Sequence, residues 1–132
     1  MDEQIRRALG RDRTIDITTT GRTTGRPRRI ETWFYRVDGQ IYLTGSPGKR
    51  DWYANLLVDP RFTFHLKESA TADLPARAAP VTDPEARRTI FAAILRDLGQ
   101  GNDLAAWLRG SPLMAVDIGD GEAASRADGD RP

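Results

Sequence analysis

Hydrophobic and polar residues alternate along several short stretches of the chain, a pattern typical of half-buried β-strands. The alternation predicts six strands, at residues 14–20, 29–37, 40–45, 61–67, 70–81 and 113–118. Asp38-Gly39 predicts a two-residue hairpin between the second and third strands, because both central positions of a type I′ turn need a positive φ. Pro75 lacks an N–H group and predicts a bulge or an edge position in the fifth strand.

Helical spacing replaces this alternation in the second half of the chain. Residues 84–98 carry one apolar stripe, capped at its start by Thr82 or Asp83. Shorter helices are predicted at residues 4–9, 52–58 and 103–109, with Asp51 as the cap of the second of these. The pattern therefore predicts a mainly β protein of the α+β class, a small barrel of about six antiparallel strands.

Length and composition limit what the chain can be. Its 132 residues predict one domain over residues 1–118, and the small, charged residues 119–132 predict a disordered tail. Without cysteine and with one histidine, the chain is expected to hold no metal site. We also expect no membrane span and a cytoplasmic location, because no apolar run is long enough and the N-terminus lacks a signal peptide's apolar core.

Positive charge is concentrated in one loop, although the net charge of the chain is only +1. The stretch "ITTTGRTTGRPRR" holds Arg22, Arg26, Arg28 and Arg29, together with two glycines. Like charges this close repel one another, so the loop gains from an anionic partner. Solvated surface is an equally simple interpretation. Nucleic acid is disfavoured, because the remaining charge is balanced and no nucleic-acid module is recognisable.

A second loop, "GSPGKR" at residues 45–50, has a similar composition and comes just before a predicted helix start. It offers Ser46, Gly48, Lys49 and Arg50, and helix N-termini favour anions. We therefore expect the two loops to hold one phosphorylated ligand between them.

Three stretches of the chain resemble the deazaflavin-dependent nitroreductase family: "TTTGRTTGRPRR", "TWFYRVDGQIYLTGSPG" and "DWYANLLVDPRFTF". The resemblance covers residues 14–118. It implies a split β-barrel like that of the flavin reductases, and coenzyme F420 as the cofactor. It also implies hydride transfer from the reduced deazaflavin to a small-molecule acceptor such as a quinone, an enone or a nitro compound.

The resemblance also implies which residues form the site. Phosphate is expected at Arg22 and Arg28, and one ring of the Trp33–Phe34 pair is expected to face the deazaflavin. Ser46 is the expected catalytic residue, polarising the acceptor, although a plain turn serine explains it equally well. The full set expected to bind the cofactor is Arg22, Thr23, Thr24, Gly25, Pro27, Arg28, Trp33, Ser46, Gly48, Lys49 and Arg50.

Other interpretations stay open at this point. FMN also carries a phosphate, so an FMN-dependent reductase on the same barrel is one alternative, and a non-catalytic protein that binds or carries an anionic cofactor is another. The chain is expected to be a monomer or a homodimer. Strand alternation places His65 on the face opposite Phe64, which predicts an exposed or half-exposed ring. Trp107 is expected to pack at the end of the barrel.

Overall fold

A computed structural model describes residues 1–119 of the chain, and within them it has seven strands, four α-helices and one short 3₁₀ turn. The predicted tail lies outside the described residues, apart from Gly119. The strands are β1 Thr14–Thr20, β2 Pro27–Trp33, β3 Tyr35–Val37, β4 Gln40–Thr44, β5 Arg61–Leu66, β6 Ala72–Pro80 and β7 Leu113–Ile118. The helices are α1 Glu3–Arg11, α2 Asp51–Val58, α3 Pro84–Leu98 and α4 Leu104–Gly110, with the 3₁₀ turn at Gly101–Asp103.

All seven strands belong to one antiparallel sheet with the order β2-β1-β5-β6-β7-β4-β3. Its two outermost strands, β2 and β3, follow each other in the chain and are separated by Phe34 alone. The sheet must therefore curl until its edges meet, which is the architecture of a split β-barrel. This confirms the predicted fold class.

The seventh strand arises because the stretch 29–37, predicted as one strand, is divided at Phe34. The backbone N–H of Phe34 donates to the carbonyl of Arg13 at 2.9 Å, and its ring packs edge-to-face on Phe64 with centroids 5.1 Å apart. Just beyond, Arg36 donates to the carbonyls of Leu9 and Asp12 at the end of α1. Because of these contacts, the segment pairs with β1 before Phe34 and with β4 after it.

The core consists of two groups of buried side chains. The larger group fills the barrel, where Ile15, Ile17 and Phe64 lie on the inner face of β1 and β5. The smaller group joins α3 and α4 to the sheet, and in it Phe91 packs edge-to-face on Trp107 with centroids 5.8 Å apart. Trp107 therefore packs, as expected. No helix within residues 1–119 is both long and apolar enough to cross a bilayer.

One prediction about a helix end is wrong, and another is confirmed. Asp51 does not cap α2: it is the first helical residue, and the capping position is taken by Arg50 without a side-chain hydrogen bond. Asp83, one of the two caps predicted for α3, accepts from the backbone N–H of Ala86 at 2.9 Å.

Pro75 takes the second of its two predicted positions, an edge. It forms no bulge, since β5 and β6 pair in unbroken register around it. The β6–β7 pairing begins only at the next residue, Ala76, so Pro75 pairs with β5 alone and its missing N–H is tolerated.

The prediction for His65 is wrong, because the residue is buried with only 6% of its surface exposed. Its ring lies between two neighbouring strands, with Nε2 2.7 Å from Oγ1 of Thr18 and Nδ1 2.7 Å from Oδ1 of Asp73. Strand alternation fixes which face a side chain occupies but not how far neighbouring side chains cover it.

Candidate functional site

The loop between β1 and β2 is shaped by its own backbone. The N–H of Gly21 donates to the carbonyl of Arg26 and the N–H of Gly25 to the carbonyl of Gly21, both at 2.8 Å. Gly25 has φ of 70°, a conformation that favours glycine. A Cβ at Gly21 would lie 2.7 Å from Oγ1 of Thr24. The glycines therefore let the loop fold tightly.

This arginine loop, defined here as residues 21–28, is attached to α2 through Arg22. Asn55 Oδ1 accepts from both the backbone N–H of Arg22, at 3.1 Å, and its Nη1, at 2.8 Å. Oδ1 of Asp51 accepts from Nη2 of Arg22 at 3.2 Å. Asn55 is itself buried, and its Nδ2 donates to Oγ1 of Thr19 at 3.2 Å. The first turns of α2 thus fix the position of the Arg22 guanidinium.

The second predicted loop, residues 45–50, folds around the side chain of Arg50. Nη2 of Arg50 donates to the carbonyl of Ser46 at 2.8 Å. The guanidinium lies against Gly45, where a Cβ would come within 2.9 Å of Nη2, so a larger residue there would displace the Arg50 side chain. At the tip of the loop, the N–H of Gly48 donates to the carbonyl of Gly110 at 3.1 Å. The loop is therefore fastened to the end of α4.

A cleft of about 700 Å³ lies between α2, the 45–50 loop and the end of α4. Its lining residues are Arg22, Gly48, Lys49, Arg50, Asp51, Tyr53, Ala54, Arg87, Arg109, Gly110, Ser111 and Pro112. Five of these side chains are cationic and one is anionic, so the cleft is strongly positive and suits an anionic ligand.

A smaller pocket of about 160 Å³ adjoins the cleft beneath the arginine loop. It is lined by Gly21, Arg22, Thr23, Thr24, Arg28, Asp51 and Asn55. Arg22 and Asp51 line both cavities, so one ligand with several anionic groups could contact both loops. This geometry permits one ligand to lie between the two loops, which stays a prediction.

Most of the chain, including both basic loops beside the cleft, matches a known protein family. The model of the F420H(2)-dependent quinone reductase family matches residues 3–107. The chain belongs to this family. Both basic loops and all of α2 lie within the matched residues, which confirms the resemblance to deazaflavin-dependent proteins. Arg109 and the other lining residues of the segment 109–112 lie just beyond the match.

Solved structures that resemble this quinone reductase family member share its fold. The conserved hypothetical protein Rv2991 from Mycobacterium tuberculosis is 21% identical with a TM-score of 0.68, covering 89% of this chain and 81% of that chain. HutZ, the heme storage protein from Vibrio cholerae, is 19% identical with a TM-score of 0.64, covering 89% of both chains. A putative pyridoxamine 5′-phosphate oxidase from Listeria innocua is 14% identical with a TM-score of 0.63, covering 88% and 91%.

The residues expected to bind the cofactor are not all brought together. Those that line the cleft or its adjoining pocket are Arg22, Thr23, Thr24, Arg28, Gly48, Lys49 and Arg50. Gly25 lines a neighbouring groove beside Val58, and Pro27 pairs with Thr20 at the start of β2. Ser46 precedes the part of its loop that lines the cleft, and its carbonyl binds Arg50.

Trp33 lies at the other end of β2 from the arginine loop. About 20 Å of extended strand, six residues at roughly 3.3 Å each, separates it from Pro27. Its side chain is exposed, and the guanidinium of Arg13 lies 5.0 Å from its ring centroid. The buried member of the pair is Phe34, which belongs to the barrel core.

Two arginines of the cleft, Arg87 and Arg109, were missed by the sequence analysis. Arg87 is held by main-chain carbonyls: Nη1 donates to Val81, and Nη2 donates to Leu108 and Ser111, at 3.0–3.2 Å. Within residues 1–119, the side chains of Arg109 and Lys49 form no hydrogen bond or ion pair. Arg87 therefore supports the wall of the cleft, and Lys49 and Arg109 remain available to a ligand.

Ser111 is a second feature of the cleft wall that the sequence did not indicate. It is 4% exposed, and its Oγ has no hydrogen-bond partner among the described residues. A buried hydroxyl without a partner costs about 1–3 kcal/mol of desolvation free energy. We expect Ser111→Ala to raise the free energy of unfolding by about 1 kcal/mol, measured by urea denaturation.

Ser69→Ala is the matched control for this substitution, because Oγ of Ser69 donates to Oδ1 of Asp12 at 2.6 Å. Its free energy of unfolding should fall rather than rise. A Ser111→Ala protein that is less stable than the wild type would show that the hydroxyl has a partner in solution.

Proposed function

We propose that this chain binds coenzyme F420 in the basic cleft and reduces an electron-poor acceptor, such as a quinone, an enone or a nitro compound. The observation that carries the proposal is that two basic loops, both within the segment that matches an F420-dependent family, meet at one cleft and its adjoining pocket. Five cationic side chains suit a coenzyme that carries a phosphate and several carboxylates. When bound in its reduced form, the coenzyme supplies a hydride, and the acceptor takes this hydride together with a proton from water.

The residues of the cleft have two roles in this proposal. Thr23, Thr24 and Arg28 offer hydroxyls and a guanidinium to the phosphate in the small pocket, while Lys49 and Arg109 bind carboxylates in the large cleft. Arg50 and Arg87 keep the walls in place through their bonds to main-chain carbonyls. Gly25, Pro27 and Gly48 shape the backbone of the two loops. Trp33 is a less favoured contact, because of its position at the far end of β2.

Titration of the purified protein with F420 and with FMN, followed by the fluorescence of each, tests the proposal. We expect F420 to bind at micromolar concentrations at low salt. Reduced F420 should then be oxidised steadily when a soluble quinone is added, with one coenzyme oxidised for each quinone reduced. Absence of F420 binding would refute the proposal.

Two other functions are outcomes of the same experiment. Binding of FMN in preference to F420 would indicate an FMN-dependent reductase on the same barrel. Binding without turnover of any acceptor would indicate a carrier, and a heme storage protein, HutZ, does share the fold.

The chain is proposed to be a monomer or a homodimer. Sedimentation of the same sample would distinguish these two states, and one structure with a similar fold is a domain-swapped dimer.

Ser46 is the proposed catalytic residue, as the hydroxyl that polarises the acceptor. Its side chain is exposed, and its Oγ lies 3.4 Å from Nη2 of Arg50. We expect Ser46→Ala to lower kcat roughly tenfold, the scale of one neutral hydrogen bond, while the Kd for F420 stays the same. Steady-state kinetics with a quinone measure both values. An unchanged kcat would leave Ser46 as a turn residue only.

A further inference from the structure

Asn55 has a buried side chain, and both the oxygen and the nitrogen of its amide form hydrogen bonds. It is 4% exposed, its Oδ1 accepts two hydrogen bonds from Arg22, and its Nδ2 donates to Thr19. We propose that Asn55 is a positioning residue that fixes Arg22 for anion binding while leaving the positive charge of the guanidinium available. The ligand class named here, a phosphorylated and multiply anionic coenzyme, rests on the proposed function.

The contacts of Arg22 show why its position matters. It lines both the cleft and the smaller pocket, so its guanidinium stands where a ligand would pass from one to the other. A free arginine side chain loses up to about 2 kcal/mol of rotamer entropy when it is immobilised. Asn55 holds the backbone and the guanidinium of Arg22 from a single oxygen, so part of this cost is met before the ligand arrives.

The neutral character of the amide is the second part of the argument. A carboxylate in the same place would hold Arg22 equally well, but it would compensate the positive charge that an anion needs. Arg22 already has one carboxylate neighbour, Asp51, which is largely solvated with 80% of its side chain exposed. A second, buried carboxylate would be screened far less by water and salt. An asparagine therefore positions Arg22 without neutralising its positive charge.

Two variants test these two effects separately. Asn55→Asp keeps an acceptor for Arg22, and the hydroxyl of Thr19 can donate to the new carboxylate. We expect this protein to melt within a few degrees of the wild type but to bind F420 about tenfold more weakly, with a smaller loss of affinity on adding salt. Asn55→Ala removes the amide altogether, and we expect it to lower both the affinity and the melting temperature.

The dependence of Kd on salt is the readout that a purely structural role would not change. If Asn55 only stabilised α2, Asn55→Asp would bind F420 with the same affinity and the same salt dependence whenever it is folded. That result would overturn the proposal. Thr19→Val serves as the control, because it removes the partner of Nδ2 without touching Arg22, and its salt dependence should match that of the wild type.

A second probe makes failure of this inference distinguishable from failure of the proposed function. Inorganic pyrophosphate should shift the backbone amide resonance of Arg22 in the wild-type NMR spectrum, and the shift should be much smaller in Asn55→Asp. If pyrophosphate behaves in this way while F420 does not bind, the proposed coenzyme is wrong and the role of Asn55 stands. If pyrophosphate leaves the Arg22 resonance unmoved in the wild type, the role assigned to Asn55 is wrong.

Discussion

Replacing Phe34 with alanine is expected to lower the free energy of unfolding by about 3–5 kcal/mol, the usual cost of removing a buried aromatic ring. Phe34 is 1% exposed, its ring packs edge-to-face on Phe64, and the guanidinium of Arg36 lies 5.0 Å from its centroid. It also stands where the segment passes from β2 to β3, so the cavity would open at the point where the barrel closes. Urea denaturation measures the effect.

The neighbouring residue provides the control for Phe34. Trp33 is similar in size but 46% exposed, so Trp33→Ala should cost no more than about 1 kcal/mol. A Phe34→Ala protein that loses as little stability as Trp33→Ala would show that the bend does not depend on its aromatic side chain.

Removing both available cations of the cleft is expected to have the largest effect on binding. In the double variant Lys49→Gln, Arg109→Gln, the affinity for F420 should fall at least about 100-fold, because each charge-assisted hydrogen bond contributes about 1.5–3 kcal/mol. The free energy of unfolding should change little, since neither side chain bonds to any residue of the described segment. Fluorescence titration at fixed low salt measures the affinity.

A second double variant controls for the lost charge. Arg11→Gln, Arg88→Gln changes the net charge by the same amount at exposed helix positions that do not line the cleft. It should bind F420 as the wild type does. Equal losses of affinity in the two proteins would mean that the overall charge attracts the coenzyme and that the cleft does not bind it locally.

Most of the barrel could be predicted from the sequence because strand alternation and turn chemistry are local signals. The Asp38-Gly39 hairpin, the Asp83 cap and the apolar stripe of α3 each depend on residues within a few positions of one another. The division of the stretch 29–37 at Phe34 could not be predicted in this way. It depends on Arg13 and on the end of α1, which are distant in sequence.

The candidate site was predicted where the sequence concentrates charge and missed where it does not. The two basic loops are visible as runs of glycine and arginine, and the structure brings Arg22, Arg28 and Lys49 to adjoining cavities. Arg87, which is followed by Arg88, and Arg109 lie within helical segments that hold no run of glycine and arginine, a pattern that equally indicates solvated surface. Asn55 is a single amide in an apolar helix, and only the fold shows that it faces Arg22.

One continuous segment, residues 27–37, supplies both edge strands of the sheet, so the two edges are joined by the chain itself and not by strand pairing. The edge strand β2 has mostly exposed side chains and pairs with β1 alone. Its first residue is the last but one of the arginine loop. An anion that binds the loop would therefore stabilise this exposed edge strand, and ligand occupancy would be thermodynamically linked to the order of the barrel edge.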